Sequence, residues 1–173
     1  LVERAYEQFA AQPENAGVYA DPKGRGATIE QIWLVLTLFG IEPYCLVARP
    51  LPAASTKRIS RLVNTKATQI IDALKTIQAA TGEVPLAYHD GKTGHCIRIT
   101  GYDSGRDRFI YHDPWPERSL LAQENNPAGV DAQPEGARWS VTAQELERVV
   151  FAAFVFPSQW ARVRGQDFDI LYD

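Results

Sequence analysis

The sequence is poor in the residue types that mark several common classes of protein. Methionine is absent and cysteine occurs twice among 173 residues, too few for the disulfide framework of a small secreted domain. No apolar run approaches the roughly 20 residues that cross a bilayer as a helix, so we expect no membrane segment in this chain. Histidine occurs three times, so imidazole chemistry has few positions from which to arise.

An excess of charge of one sign is also missing. The sequence has 18 Lys and Arg against 21 Asp and Glu, for a net charge of −3 and a pI near 5.7. Without a basic field we expect no nucleic-acid partner. The composition is that of an ordinary soluble globular protein, and the length fits one domain. No charged-then-apolar leader opens the sequence, so it indicates neither a cytoplasmic nor a secreted location, and it implies no particular oligomeric state.

Two helices are predicted in the first part of the chain. Residues 1–11 carry apolar side chains at helical spacing. No capping residue precedes them, which indicates that the chain begins inside a helix and that further sequence lies upstream. Thr28 and Gln31 form a capping box, and Gly40 is a typical residue after a helix end. These signals predict a second helix over 28–39.

The later segments predict strands with helices between them. We predict strands at 41–49, 84–89, 95–102, 108–112 and 150–156. Asn64 or Thr65 caps a third helix that ends at Gly82, and a capping box opens a short helix over 143–149. Helices that precede an antiparallel sheet predict an α+β fold with N-terminal helices packed on the sheet.

The remaining segments predict loops and a tail. We predict a loop over residues 50–60 with a small basic cluster, Lys57, Arg58 and Arg61. We interpret this cluster as a solvated rim or, alternatively, as a contact for an anionic substrate. The long polar segment 117–138 is either a cover over a cleft or a surface insertion. We predict one domain over residues 1–157, followed by a C-terminal tail, 158–173, that packs on the domain or on a partner.

The predicted strands around residues 84–114 contain every histidine of the sequence and one conspicuous carboxylate, Asp113. In an antiparallel hairpin that turns at Ser104-Gly105, the start of one strand lies beside the end of the next, which places His95 near Asp113. A carboxylate fixes the tautomer of an imidazole and stabilises its charged form. His95 is therefore a candidate general base and Asp113 its orienting partner. The alternative is a structural pair, solvated at the strand ends.

A metal site is the other chemistry that three histidines suggest. His89, His95 and His112, with Asp113, would have to supply the ligands. The sequence offers no pair of ligands at helical i, i+4 spacing, and His112 faces away from Asp113 on alternating strand positions. We therefore expect neither a metal nor another cofactor.

The motifs in this region resemble those of a known superfamily. They are Gly94-His95 before an alternating strand, then Thr100-Gly101-Tyr102-Asp103, then Tyr111-His112-Asp113-Pro114-Trp115. Their order is similar to the C-terminal half of papain-like cysteine peptidases, above all the bacteriocin-processing (double-glycine) peptidases and their bacterial relatives. The resemblance implies a hydrolase in which His95 is the general base, Asp113 orients it, and the substrate is a peptide or protein.

The resemblance also implies a cysteine nucleophile at the start of the first long helix, and neither visible cysteine fits that role. Cys96 adjoins His95 in a strand, so its side chain points to the opposite face of the sheet. Cys45 lies in a strand among apolar residues, as expected for an inert core thiol. A disulfide between the two is possible by composition, but a reduced pair is the better prediction.

Two explanations for the missing nucleophile stay open. In the first, residues 1–11 are the end of the nucleophile helix and its cysteine lies upstream of Leu1, which predicts a thiol protease with a Cys-His95-Asp113 triad. In the second, the helix over 28–39 is the nucleophile helix and Ala27 stands where the cysteine belongs. The domain is then a degenerate, non-catalytic member that binds a peptide or protein partner.

Overall fold

The structure is a computed structural model that describes residues 28–51, 53–80, 82–89, 94–113, 138–166 and 169–170. The predicted helix over 1–11 lies outside the described residues, as does the predicted loop over 117–138 apart from its last residue. None of the helices within the described ranges has both the length and the apolarity that crossing a membrane requires.

The described residues form five helices and eight strands. The helices are α1 (Ile29–Leu38), α2 (Ala53–Thr56), α3 (Ala67–Gln78), α4 (Ala143–Val149) and α5 (Pro157–Val163). The strands are β1 (Tyr44–Val47), β2 (Leu62–Asn64), β3 (Val84–His89), β4 (Gly94–Asp103), β5 (Arg108–His112), β6 (Arg138–Thr142), β7 (Val150–Val155) and β8 (Asp169–Ile170).

One sheet of eight strands organises the fold, in the order β6-β5-β4-β3-β7-β1-β2-β8. Neighbouring strands are antiparallel except β1 and β2, which are parallel. The prediction of an α+β fold is confirmed, and the sheet departs from a purely antiparallel one at that single pair. The strands predicted at 84–89 and 108–112 have the observed bounds.

The helix α1 begins where its capping signal predicts. Thr28 Oγ1 accepts a hydrogen bond from the Gln31 backbone N–H at 3.2 Å, and Gln31 Oε1 accepts one from the Thr28 N–H at 2.7 Å. These bonds satisfy N–H groups that a helix start otherwise leaves without partners. Gly40 follows the helix with a φ of +73°, a conformation that glycine adopts without the steric cost of a Cβ.

The sheet buries apolar side chains on both faces. We call the side covered by α3, α4 and α5 the α3 face; it includes Leu46, Ile70, Leu74, Leu86, Tyr88, Ile97, Ile99, Tyr111 and Trp160. We call the other side the α1 face; it includes Ile29, Trp33, Cys45, Val47, Ala87, Ala152 and Phe154. Successive strand residues alternate between these faces, so the position of each site residue follows from its neighbours.

The structure corrects the predictions for the segment between β1 and α3. The predicted loop over 50–60 contains the short helix α2. Asn64 and Thr65 do not cap α3, whose N-cap residue is Lys66. The physical reason is the parallel pairing of β2 with β1: the Thr65 N–H donates to the Val47 carbonyl at 3.0 Å, which keeps the chain extended and delays the helix.

Three further elements were not predicted: β6, α5 and the two-residue strand β8. The strand β6, over 138–142, follows a long polar segment that hid a short alternation in which Trp139 and Val141 are buried. The helix α5 begins at Pro157, a residue that favours the first position of a helix. Its Trp160 stacks on Tyr44 with ring centroids 4.2 Å apart, so this part of the predicted tail packs on the domain.

Candidate active site

The antiparallel pairing of β4 with β5 brings His95 and Asp113 together. His95 is the second residue of β4, and Asp113 directly follows β5. The register aligns Arg98 with His112, so the start of one strand lies beside the residue after the other. His95 Nε2 lies 2.7 Å from Asp113 Oδ1 across 18 residues of sequence. The two residues that the sequence singled out are therefore in direct contact.

Burial makes this contact strong. The Asp113 side chain is 0% exposed and that of His95 is 13% exposed. Water screens a charge-assisted hydrogen bond little at such a position. In the neutral imidazole, Nε2–H donates to Asp113, and Nδ1 then carries the lone pair. The arrangement fixes one tautomer and makes Nδ1 the atom that can accept a proton.

An aromatic wall holds the imidazole on the α3 face. Tyr88 pairs with His95 across β3 and β4, and the two ring centroids lie 5.6 Å apart with planes tilted by 60°. Tyr88 is buried, so its ring leaves His95 little freedom to rotate. The sequence signals did not identify this residue, because its place opposite His95 depends on the pairing register of β3 with β4.

Tyr111 lies on the same face, two residues before Asp113. It is fully buried, and its hydroxyl has no hydrogen-bond partner among the described residues. Burial above all, and then the Asp113 carboxylate, raise the pKa of Tyr111. The phenol therefore stays neutral beside the His95–Asp113 pair and adds no charge to it.

The two cysteines lie elsewhere and both are free thiols, as predicted. Cys96 pairs with Ala87, a residue of the α1 face, so its side chain points away from the His95 ring. Burial and, second, the Asp113 carboxylate raise the pKa of Cys96 to about 11. Cys45 is completely buried, and burial raises the pKa of its thiol as well. Neither is a thiolate near neutral pH, and neither is placed to give a proton to Nδ1.

The other histidines do not join the pair. His112 alternates with Tyr111 along β5 and pairs with Arg98 of β4, so its side chain belongs to the α1 face. His89 ends β3, where it pairs with Gly94. In the part of the chain that the structure describes, no group of three or more His, Cys, Asp or Glu residues could hold a metal ion.

The fold and site define a class of protein. An α+β domain with a His–Asp pair at the ends of two neighbouring strands of its sheet is typical of the papain-like cysteine peptidase superfamily. The model of the Peptidase_C39-like family matches residues 51–145, more than half of the chain and a range that includes both His95 and Asp113. The chain belongs to that family. No curated protein matches the chain, and no solved structure matches it.

Proposed function

We propose that this cysteine peptidase-like domain hydrolyses a peptide or amide bond, with His95 as the general base and acid and Asp113 as its orienting partner. The observation that carries the proposal is the 2.7 Å contact between His95 Nε2 and Asp113 Oδ1, which leaves Nδ1 for proton transfer. The nucleophile is a cysteine upstream of Leu1. The substrate is a peptide cut after small residues, as in the leader processing of the double-glycine peptidases that the motifs resemble.

The proposed reaction assigns a proton transfer to each step. Nδ1 of His95 takes the thiol proton, and Asp113 stabilises the imidazolium that results. The thiolate attacks the scissile carbonyl, and backbone N–H groups at the start of the nucleophile helix bind the oxyanion. His95 then gives its proton to the leaving amine, which leaves a thioester. Water, deprotonated by Nδ1, hydrolyses the thioester and frees the thiol; an amine in place of water would make the domain a transferase.

The packing of α1 supports an upstream nucleophile. The other placement puts the cysteine position at Ala27, which lies outside the described residues. The helix that would follow it, α1, packs through Ile29 and Trp33 on the α1 face. The His95 ring lies on the opposite face, against Tyr88. A nucleophile helix has to aim its N-terminus at this imidazole, and the position of α1 favours another helix for that role.

A second candidate function is peptide binding without chemistry. The observation in its favour is that both cysteines of the sequence lie in strands and have raised thiol pKa values. A degenerate papain-like domain would keep the cleft and bind a peptide or protein partner there. The two candidates share a fold and differ in whether an activated thiol completes the site.

The coding sequence upstream of Leu1 is the first test. A cysteine there should lie at the start of a helix. The protein that includes it should cleave a fluorogenic peptide with a central Gly-Gly, and His95→Ala should lower kcat/KM by about 10²-fold or more, the usual contribution of a general base. His112→Ala is the matched control, because it removes an imidazole from the neighbouring strand on the opposite face. It should stay within about twofold of wild type.

Folding has to be checked beside turnover. Circular dichroism and urea midpoints should show that both histidine variants retain the native fold. Loss of turnover in His95→Ala alone supports the peptidase. The absence of a cysteine upstream, or equal activity in His95→Ala and wild type, rules out the proposed mechanism and leaves the binding domain.

A further inference from the structure

A pocket of about 390 Å³ opens where the parallel strands β1 and β2 end. Its lining includes Val47 and Arg49 at the end of β1, Asn64 and Thr65 at the end of β2, and Lys66 before α3. The main chain at the bottom of this pocket is fixed by a hydrogen bond, in which the Thr65 N–H donates to the Val47 carbonyl at 3.0 Å. The carboxyl ends of adjacent parallel strands are a common place for a ligand in α/β sheets.

The charge of the pocket is positive. Arg49 and Lys66 both line it, and no acidic side chain does. Neither cation forms an ion pair within the described ranges of the chain. The first turn of α3 contains no acidic residue, so nothing there offsets the positive end of the helix dipole. The chain as a whole has a net charge of −3, which makes this local excess of positive charge distinct.

The pocket and the His95–Asp113 pair lie at the same end of the sheet, where β1, β2, β3 and β5 end and where β4 and β7 begin. The Ala48 N–H donates to the Phe151 carbonyl at 2.9 Å, which sets the end of β1 level with the start of β7. The residue before Phe151 in β7, Val150, is level with Tyr88, and Tyr88 pairs with His95. The pocket is thus within about one residue of the row that contains His95.

The distance from the pocket to His95, measured across the strand ends, suits an extended peptide. The strand order places β1 three strands from β4, and strands are spaced by about 4.8 Å, so the pocket lies roughly 14 Å from His95. An extended chain advances about 3.3 Å per residue, so roughly four residues cover this span. Among the lining residues, Ala48 packs against the core of the α3 face, the same side of the sheet as His95, and Val47 belongs to the α1 face. The pocket therefore lies across the strand ends, where a peptide can reach it from the His95 side.

We propose that this pocket is a specificity subsite for a carboxylate side chain of the peptide substrate, about four residues from the bond that is cut. Arg49 and Lys66 bind the carboxylate, and the side-chain amide of Asn64 fixes its orientation. This assignment rests on the proposed peptidase function, because it uses the distance to His95. It names a substrate class: peptides with Asp or Glu at one fixed distance from the cleavage site.

The test is a set of fluorogenic peptides with a central Gly-Gly and an amidated C-terminus. In each peptide a single Glu replaces Gln at one of the five positions on either side, so the only carboxylate is that side chain. Charge-assisted hydrogen bonds contribute enough to expect kcat/KM to rise about tenfold for Glu at one position three to five residues from the cut. Added salt should reduce the preference, since the cations are exposed.

Variants of Arg49 and Lys66 test whether the preference for Glu peptides arises in this pocket. Arg49→Glu and Lys66→Glu should each abolish the preference for Glu, measured as the ratio of kcat/KM for the Glu peptide to kcat/KM for the all-Gln peptide. Lys66→Glu puts an acid at the N-cap of α3, which favours the helix, so folding should be preserved. The matched control is Arg106→Glu, which makes the same charge change in the exposed turn between β4 and β5, at the other end of the sheet. It should keep the preference.

Binding by fluorescence anisotropy separates this proposal from the proposed function. If no peptide is cut, but labelled Glu peptides bind more tightly than Gln peptides and Arg49→Glu removes the difference, the catalytic function fails and the carboxylate subsite stands. If peptides are cut with no positional preference for Glu, the subsite is wrong and the peptidase stands. Retention of the Glu preference in both Arg49→Glu and Lys66→Glu also overturns the subsite.

Discussion

His95 and Asp113 are 18 residues apart in sequence, yet His95 Nε2 lies 2.7 Å from Asp113 Oδ1. The contact depends on the register of a single hairpin, because Asp113 directly follows β5 and His95 is the second residue of β4. A shift of one residue would turn one of the two side chains to the other face of the sheet. The geometry of the proposed proton transfer is thus built into the pairing of β4 with β5.

Asp113 should contribute to turnover mainly through its side-chain oxygen. If the proposed triad operates, Asp113→Ala should lower kcat/KM by about 10²-fold or more, because His95 loses the group that fixes its tautomer. Asp113→Asn should lower it less, since an amide oxygen still accepts the Nε2–H. Peptide hydrolysis by both variants gives the comparison, with Asp72→Asn on the exposed side of α3 as a control. Equal losses for Ala and Asn would contradict an orienting role for the oxygen.

Cys96 should be an inert thiol although it adjoins His95. Burial and the Asp113 carboxylate raise its pKa to about 11, and only the thiolate reacts with alkylating agents. The rate of carbamidomethylation at Cys96, followed by mass spectrometry, should therefore rise with an inflection near pH 11. A short cysteine peptide with blocked ends in the same buffers should show an inflection near the ordinary value of about 8.5. Rapid labelling of Cys96 at pH 7, or loss of turnover in Cys96→Ala, would count against this assignment.

The local patterns of the sequence predicted those elements whose signals are local. The capping box at Thr28 fixed the start of α1, and strict alternation identified β4, the strand that contains His95. The strand β2 was missed because only its parallel pairing with β1 makes Leu62–Asn64 a strand. Such a partner is distant in sequence and leaves no periodic signal in three residues. The start of α3 was misplaced for the same reason.

The residues of the candidate site also divide into those that a local sequence signal predicted and those that depend on segments distant in sequence. His95 and Asp113 could be predicted because one hairpin connects them. Tyr88 comes from the neighbouring strand, and the sequence did not specify the register in which that strand pairs with β4. The pocket beside Arg49 arises from two strands and a helix that meet only in the folded chain. The basic residues that the sequence makes conspicuous are instead those at 57–61, where Arg58 is paired with Glu30 at 3.2 Å.

The indole of Trp33 should matter for stability beyond its apolar area. Its Nε1–H donates to the buried Pro43 carbonyl at 3.1 Å. Trp33→Phe leaves that carbonyl without its partner and should lower the free energy of unfolding by about 1–3 kcal/mol. Urea denaturation measures the change. Leu38→Ala in the same helix is the control: Leu38 is 44% exposed, so the effect should stay within about 0.5 kcal/mol.

The buried thiol of Cys45 should make the fold sensitive to alkaline pH. Burial raises its pKa in the folded state, so above the ordinary thiol pKa of about 8.5 the unfolded chain loses a proton that the folded chain keeps. The stability from this group is complete below that pH and is lost as the pH rises. Between pH 9 and 11, the unfolding free energy of Cys45→Ala should therefore fall less steeply than that of wild type, by up to about 1.4 kcal/mol per pH unit. Equal slopes in urea titrations would disprove this.

The helix α5 should stabilise the domain through Trp160. This side chain is 6% exposed and stacks on Tyr44 of β1 with ring centroids 4.2 Å apart. Trp160→Ala removes a large buried side chain and should lower the free energy of unfolding by about 3–5 kcal/mol. Arg164→Ala, at the exposed end of the same helix, should change it by less than about 0.5 kcal/mol.

Truncation after residue 157 extends this test to the whole tail. The tail contains all of α5 except Pro157, and Gln159 Nε2 donates to the Glu83 carbonyl at 3.0 Å, which anchors the helix beside β3. The truncated domain should therefore unfold at a lower urea concentration than Trp160→Ala, because it loses this bond as well as the stacked ring. If the truncated domain and wild type unfold at the same urea concentration, α5 adds no stability and the stacking on Tyr44 is incidental.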